Sequence, residues 1–192
     1  MQGLHRRLVG SGCGDPFDRH VFACAITVAL DDPGRPLTAA LGLSPVAVAD
    51  IVAAFFPEAW RHLPPATRGD DAGDDQIEEP DLRRLLLDHR SGDGPEPSWL
   101  AAIIARRSQC ANHLWQDLGL FDRGELNTLM ERHFRPLKRR NSGDMKWKKF
   151  FYKQLCDRAE IFLCKSPTCG TCSDYERCFG PEDSANGMRS TS

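Results

Sequence analysis

The chain has no long apolar run. Its longest uncharged apolar stretch is VFACAITVAL, residues 21–30, and ten residues cannot span a bilayer. The opening MQGLHRRLVGSGCGDPFDRH has two arginines but no apolar segment of signal-peptide length. A cytoplasmic protein with no membrane partner is the expectation, and reduced thiols with it. Strict apolar–polar alternation rich in β-branched residues is also missing, which argues against a sheet. No segment repeats, which excludes solenoids. Nor is there a nucleophile–base arrangement, a glycine-rich phosphate loop or a carboxylate pair near any candidate site, so turnover of an organic substrate is not expected and the chain reads as a non-enzyme. A net charge of −2 says nothing about nucleic acid by itself, but no nucleic-acid-binding module is recognisable, so no nucleic-acid partner is expected.

What is present is helical pattern and a core's worth of apolar residues, 41% of 192. SPVAVADIVAAFFPEAW offers Ser44 as N-cap, Pro45 in the first helical position, and an apolar stripe at Val48, Ile51, Val52 and Phe55. PDLRRLLLDHR places Leu82, Leu85 and Leu86 similarly. PSWLAAIIARRSQCANHLWQDLG reads as one helix with Leu100, Ile103 and Ile104 on a face and Gly119 as its stop. In FDRGELNTLMERHF, Asp122 and Glu125 resemble a capping box, with Phe121 and Leu126 spaced as a hydrophobic staple. The fold class is all-α: a single helical domain over residues 1–180 with a C-terminal cysteine-rich loop. Residues 68–81 hold seven acids and one large aliphatic side chain, too little to offset the entropy of ordering, and read as a flexible solvated linker. Residues 181–192 read as a disordered tail.

Four of the eight cysteines fall in CKSPTCGTCSDYERC: Cys164, Cys169, Cys172 and Cys178, spaced C-x4-C-x2-C-x5-C. Turns of two to five residues fold sulfurs toward one point, and Pro167 and Gly170 favour such turns. Four thiolates suit either zinc or an Fe–S cluster. Structural zinc sites usually show two separated short pairs, whereas this loop has one C-x2-C and opens like plant-type ferredoxin ligation. Spacing therefore favours Fe–S over zinc, with redox thiols as a third reading. Cys24 and Cys110 read as small hydrophobes in helices. Cys156, His113 and His133 are secondary ligand candidates, each more readily explained by packing.

Just upstream, residues 135–158 hold nine Lys or Arg against two Asp. From Asp144 onward the pattern is helical, with Trp147, Phe150, Phe151 and Leu155 as an apolar stripe. Lys146, Lys149 and Lys153 form a separate basic stripe. This is either a solvated face or a docking face beside an anionic cluster.

DMKWKKFFYKQLC followed by LCKSPTCGTCSDYERCFG resembles the NifQ family of nitrogen-fixation proteins. The likeness extends through FDRHVFACAITVAL, WLAAIIARR and HLWQDLGL, from about residue 15 to 180. It implies a protein that carries a molybdenum–iron–sulfur cluster, taking molybdenum from molybdate or another source. It further implies donation of molybdenum for iron–molybdenum cofactor synthesis on the NifEN scaffold, in concert with NifH. By that resemblance the cluster ligands are Cys164, Cys169, Cys172 and Cys178. The residues alone leave two other readings open: a zinc-stabilised interaction module, or a small Fe–S electron-transfer protein.

Overall fold

Helix boundaries in this chain follow from local capping chemistry. The computed structural model describes residues 2–32, 34–58, 70–159, 172–173 and 175–182. Among these residues every regular element is an α-helix: α1 (Gln2–Ser11), α2 (Pro16–Leu30), α3 (Leu37–Leu41), α4 (Pro45–Phe55), α5 (Glu79–Asp88), α6 (Glu96–Ser108), α7 (Leu114–Asp117), α8 (Arg123–His133), α9 (Arg135–Arg140), α10 (Trp147–Arg158) and α11 (Tyr175–Phe179). Asp15 caps α2, accepting from the amides of Phe17 and Asp18, with Pro16 in the first helical position. Ser44 takes the Ala47 amide ahead of Pro45, as its sequence suggests. Asp122 accepts from the Glu125 amide, and the Glu125 carboxylate reaches back to the Phe121 amide. Each cap satisfies donors that the first helical turn cannot pair internally.

The core is organised by α2 and α6. VFACAITVAL is a buried helix as expected, with Phe22 and Ala23 wholly enclosed. α6 buries Leu100, Ile103 and Ile104, and also Ala101, Ala102 and Ala105 on its remaining faces. A helix apolar all round belongs inside, and its alanines let neighbours approach closely. It packs against α3, α5 and α7, while α2 packs against α1 and α3. Each large side chain enclosed this way contributes about 1.5–3 kcal/mol. Leu82, Leu85 and Leu86 of α5 and Trp147, Phe150 and Phe151 of α10 join the same core, and Leu155 packs on it. No helix among the described residues is long and apolar enough to cross a membrane.

The structure differs from the sequence pattern in four places. The segment expected to run as one helix to Gly119 is two: α6 ends at Ser108, and α7 restarts at Leu114 after a His113–Gln116 capping box. Gly119 ends α7 instead, at φ +73°, where a Cβ would stand 2.8 Å from the Cys24 carbonyl oxygen. Leu126 is buried, but Phe121 is 65% exposed and sets its ring against His5 and His20, so the expected staple is replaced by ring contacts. The helix read from Asp144 begins at Trp147. Asp144 takes φ 52°, and the buried Asn141 amide brackets Met145, accepting from its N–H and donating to its carbonyl.

The fourth difference concerns the acidic stretch. Its residues 68 and 69 lie outside the described residues, but the far end is packed: Glu79 to Asp81 form the first turn of α5, and Glu79 is fully buried. The reason is Arg106, buried on α6, whose Nε donates to both Glu79 carboxylate oxygens at 2.8–2.9 Å. Its other nitrogens reach the carbonyls of Ala39 and Asp74. A buried guanidinium needs a counter-charge and acceptors, and this stretch supplies them. Residues 183–192 of the expected tail lie outside the described residues. Glu182, near its start, is held by Arg123 at 2.6 Å.

Candidate functional site

Of the four cysteines in the C-terminal loop, Cys164 and Cys169 lie outside the described residues. Cys172 and Cys178 are described, both half-buried, and Cys178 packs against the core. Their placement has a local cause. The Tyr175 amide donates to the Cys172 carbonyl at 3.1 Å, turning the chain into α11, and Tyr175 stacks on Phe179 at 4.6 Å. The Lys146 amide, just ahead of α10, donates to the Cys178 carbonyl at 2.8 Å, and Lys146 Nζ reaches the Glu176 carbonyl at 3.4 Å. The cysteine segment is thus hydrogen-bonded to the start of the basic helix.

Beside this junction is a cleft of about 500 Å³. Lys146, Lys148, Lys149 and Arg177 line it as cations; His113, Gln116 and Glu182 contribute the main polar groups opposite. Lys148 is the most anchored of the lysines, donating to the Cys110 carbonyl and to the Asp117 carboxylate. Asp117 is 3% exposed, and it also accepts from the Asn112 amide at 3.0 Å and, through its backbone carbonyl, from Arg107 at 2.7 Å. Glu182, the cleft's carboxylate, is neutralised by Arg123 and lies 3.7 Å from His113 Nδ1. Lys146, Lys149 and Arg177 therefore outweigh the remaining negative charge, and a concave cationic surface raises the local concentration of anions.

The structure divides the expected lysine stripe. Lys146 and Lys149 line the cleft, whereas Lys153 pairs with Asp157 at 2.8 Å one turn on. Lys148, which the stripe omitted, is held by both the Cys110 carbonyl and the Asp117 carboxylate. The two secondary histidines also separate. His133 is buried with Nε2 2.8 Å from Asp18, engaged in the core. His113 caps α7 and faces the cleft. Cys156 lies half-buried on α10. Sequence reasoning missed Lys148, Arg177 and Glu182 as partners of one site. Arg177 carried a signal, standing next to Cys178 inside the cysteine loop, but Glu182 had none, because its role depends on Arg123 from α8.

These features define an all-α protein with a cysteine-rich C-terminal segment seated beside a cationic cleft. The family model NifQ matches residues 21–180. A NifQ homolog of Sinorhizobium fredii is 43% identical over 170 residues, 85% of this chain and 72% of that protein. Protein NifQ of Azotobacter vinelandii is 40% identical over 152 residues, covering 74% and 78%. Protein NifQ of Rhodobacter capsulatus is 42% identical over 149 residues, covering 77% and 79%. The chain belongs to the NifQ family. No solved structure matches it.

Proposed function

We propose that this protein acts in nitrogen fixation as a carrier that binds a molybdenum–iron–sulfur cluster and donates its molybdenum for iron–molybdenum cofactor synthesis. The observation that carries this reading is the family match across residues 21–180, which spans all four cysteines of the loop. The donor set fits the cargo. Thiolates and sulfide are soft ligands that suit iron and molybdenum in a sulfur-rich cluster better than the oxygen ligands of molybdate do. Cys164, Cys169, Cys172 and Cys178 would hold it, with Cys178 hydrogen-bonded through its backbone to the cleft's edge.

The cleft gives the cationic face a sharper role. Molybdate is a dianion, and a cluster on four thiolates is anionic as well. Lys146, Lys149 and Arg177 sit where either charge would be drawn in beside Cys178. His113 is placed to contact such an anion, and His133 is not. The same exposed charge could meet an acidic surface of a receiving scaffold. NifEN and NifH are the partners this reading assigns.

Anaerobic purification after growth on molybdate, followed by elemental analysis, tests the proposal. Iron, labile sulfide and molybdenum are expected together in the wild type. Cys172→Ala or Cys178→Ala should lose most of all three, while Cys13→Ala, whose exposed thiol donates to the Ala54 carbonyl, should keep them. Zinc in a colourless protein would point to the interaction module, and iron without molybdenum to the electron-transfer protein.

A further inference from the structure

His5 on α1 and His20 and Cys24 on α2 bring two imidazole nitrogens and a sulfur within 4.8 Å of one another. None belongs to the C-terminal loop or the cleft. His5 Nε2 lies 3.0 Å from His20 Nδ1, and Cys24 Sγ lies 3.8 Å from that same Nδ1. A tetrahedral ion with metal–nitrogen bonds of about 2.0–2.1 Å and a metal–sulfur bond of about 2.3 Å sets its ligands roughly 3.3 Å (N to N) and 3.6 Å (N to S) apart. Those two edges match within about 0.3 Å, and the third, between His5 and Cys24, lies within 4.8 Å and closes by side-chain adjustment.

The surroundings fit as well. With His20 ligating through Nδ1, its other nitrogen, Nε2, lies 3.7 Å from Cys24 Sγ and faces Glu125 Oε1 at 3.1 Å. A carboxylate on the far nitrogen of a ligating histidine fixes its tautomer and raises its basicity, an arrangement common at metal sites. Cys24 is only 2% exposed, while both histidines are half-buried, so the soft ligand comes from the core and the open side faces out. The Phe121 ring borders that side, its centroid 5.5 Å from His5 and 4.9 Å from His20.

We propose that His5, His20 and Cys24 bind one divalent transition-metal ion of borderline softness, of the zinc and ferrous class, at a site separate from the cysteine loop. Glu125 acts as the positioning residue for His20, and Phe121 borders the position left for a fourth ligand. Two nitrogens and one thiolate suit this class over magnesium or calcium, which prefer oxygen.

Cobalt(II) is the reporting probe. The full-length chain with Cys164, Cys169, Cys172 and Cys178 all changed to Ala should bind one Co2+, giving tetrahedral visible bands and a thiolate-to-cobalt charge-transfer band. Cys24→Ala should abolish the charge-transfer band. His5→Ala and Glu125→Gln should each weaken binding by about tenfold or more. Zn2+ should compete with the cobalt and raise Tm. A Zn2+-dependent Tm rise in the cluster-loaded wild-type chain, lost in His5→Ala, reads the same site without the fourfold variant. A charge-transfer band that survives Cys24→Ala, or no Zn2+ effect on Tm in the wild type, would overturn the proposal.

Discussion

Glu79 is fully buried, and its charge is tolerable only because Arg106 and Arg83 surround it. Glu79→Ala would strand the buried Arg106 guanidinium, and breaking such a pair costs about 3–5 kcal/mol. Urea unfolding should show that loss, whereas Glu79→Leu combined with Arg106→Met should show much less. Milder electrostatics act at the surface. Arg83 hydrogen-bonds Asp75, and Arg132 hydrogen-bonds Asp15, and each holds its carboxyl below the ordinary range. A folded-state pKa below the unfolded one stabilises the protein at neutral pH, and that contribution disappears as pH falls below about 4 and through the folded value. Both carboxylates are largely solvated, so the effect is small. Arg132→Ala should therefore destabilise the protein slightly near neutral pH and less in acid, as read from urea midpoints.

At the scale of elements, the acidic stretch and α10 show where pattern reading succeeds and where it stops. The composition of residues 68–81 suggests a linker because its many charges look solvated, yet Asp74, Asp75 and Glu79 all serve one arginine on another helix. That requirement is invisible locally: Arg106 follows an apolar run, and nothing beside it points to an acid 27 residues upstream. Deleting residues 70–75 should thus cost stability, about 1–3 kcal/mol for the acceptors removed from Arg106. A melting temperature unchanged by the deletion would contradict the packing described. α10 was legible as an amphipathic helix because Trp147, Phe150 and Phe151 keep helical spacing. Its start was not, since the turn depends on the Asn141 side chain. The two stripe lysines that line the cleft, Lys146 and Lys149, and the one paired with Asp157 should also part company in function. Lys149→Glu should slow molybdenum acquisition from molybdate and flatten its decline with salt, while Lys153→Glu should do little.

For the molecule as a whole, the all-α class was readable because apolar residues at helical spacing and N-cap signals recur along the chain. The cysteine cluster proposed as the ligand set was readable because its spacing is local. The cleft was not, because His113, Lys149, and Arg177 with Glu182 come from three separate segments that only the packed helices bring together. In the proposed function, this assembly hands molybdenum on. The most direct measurement loads the purified protein with isotopically labelled molybdenum under anaerobic conditions, removes free molybdate, and follows the label into the purified cofactor scaffold. Label should reach the scaffold to an extent that free molybdate at the same concentration does not match and that a Cys178→Ala protein cannot support. Label that stays on the carrier, or reaches the scaffold equally well from free molybdate, would contradict it.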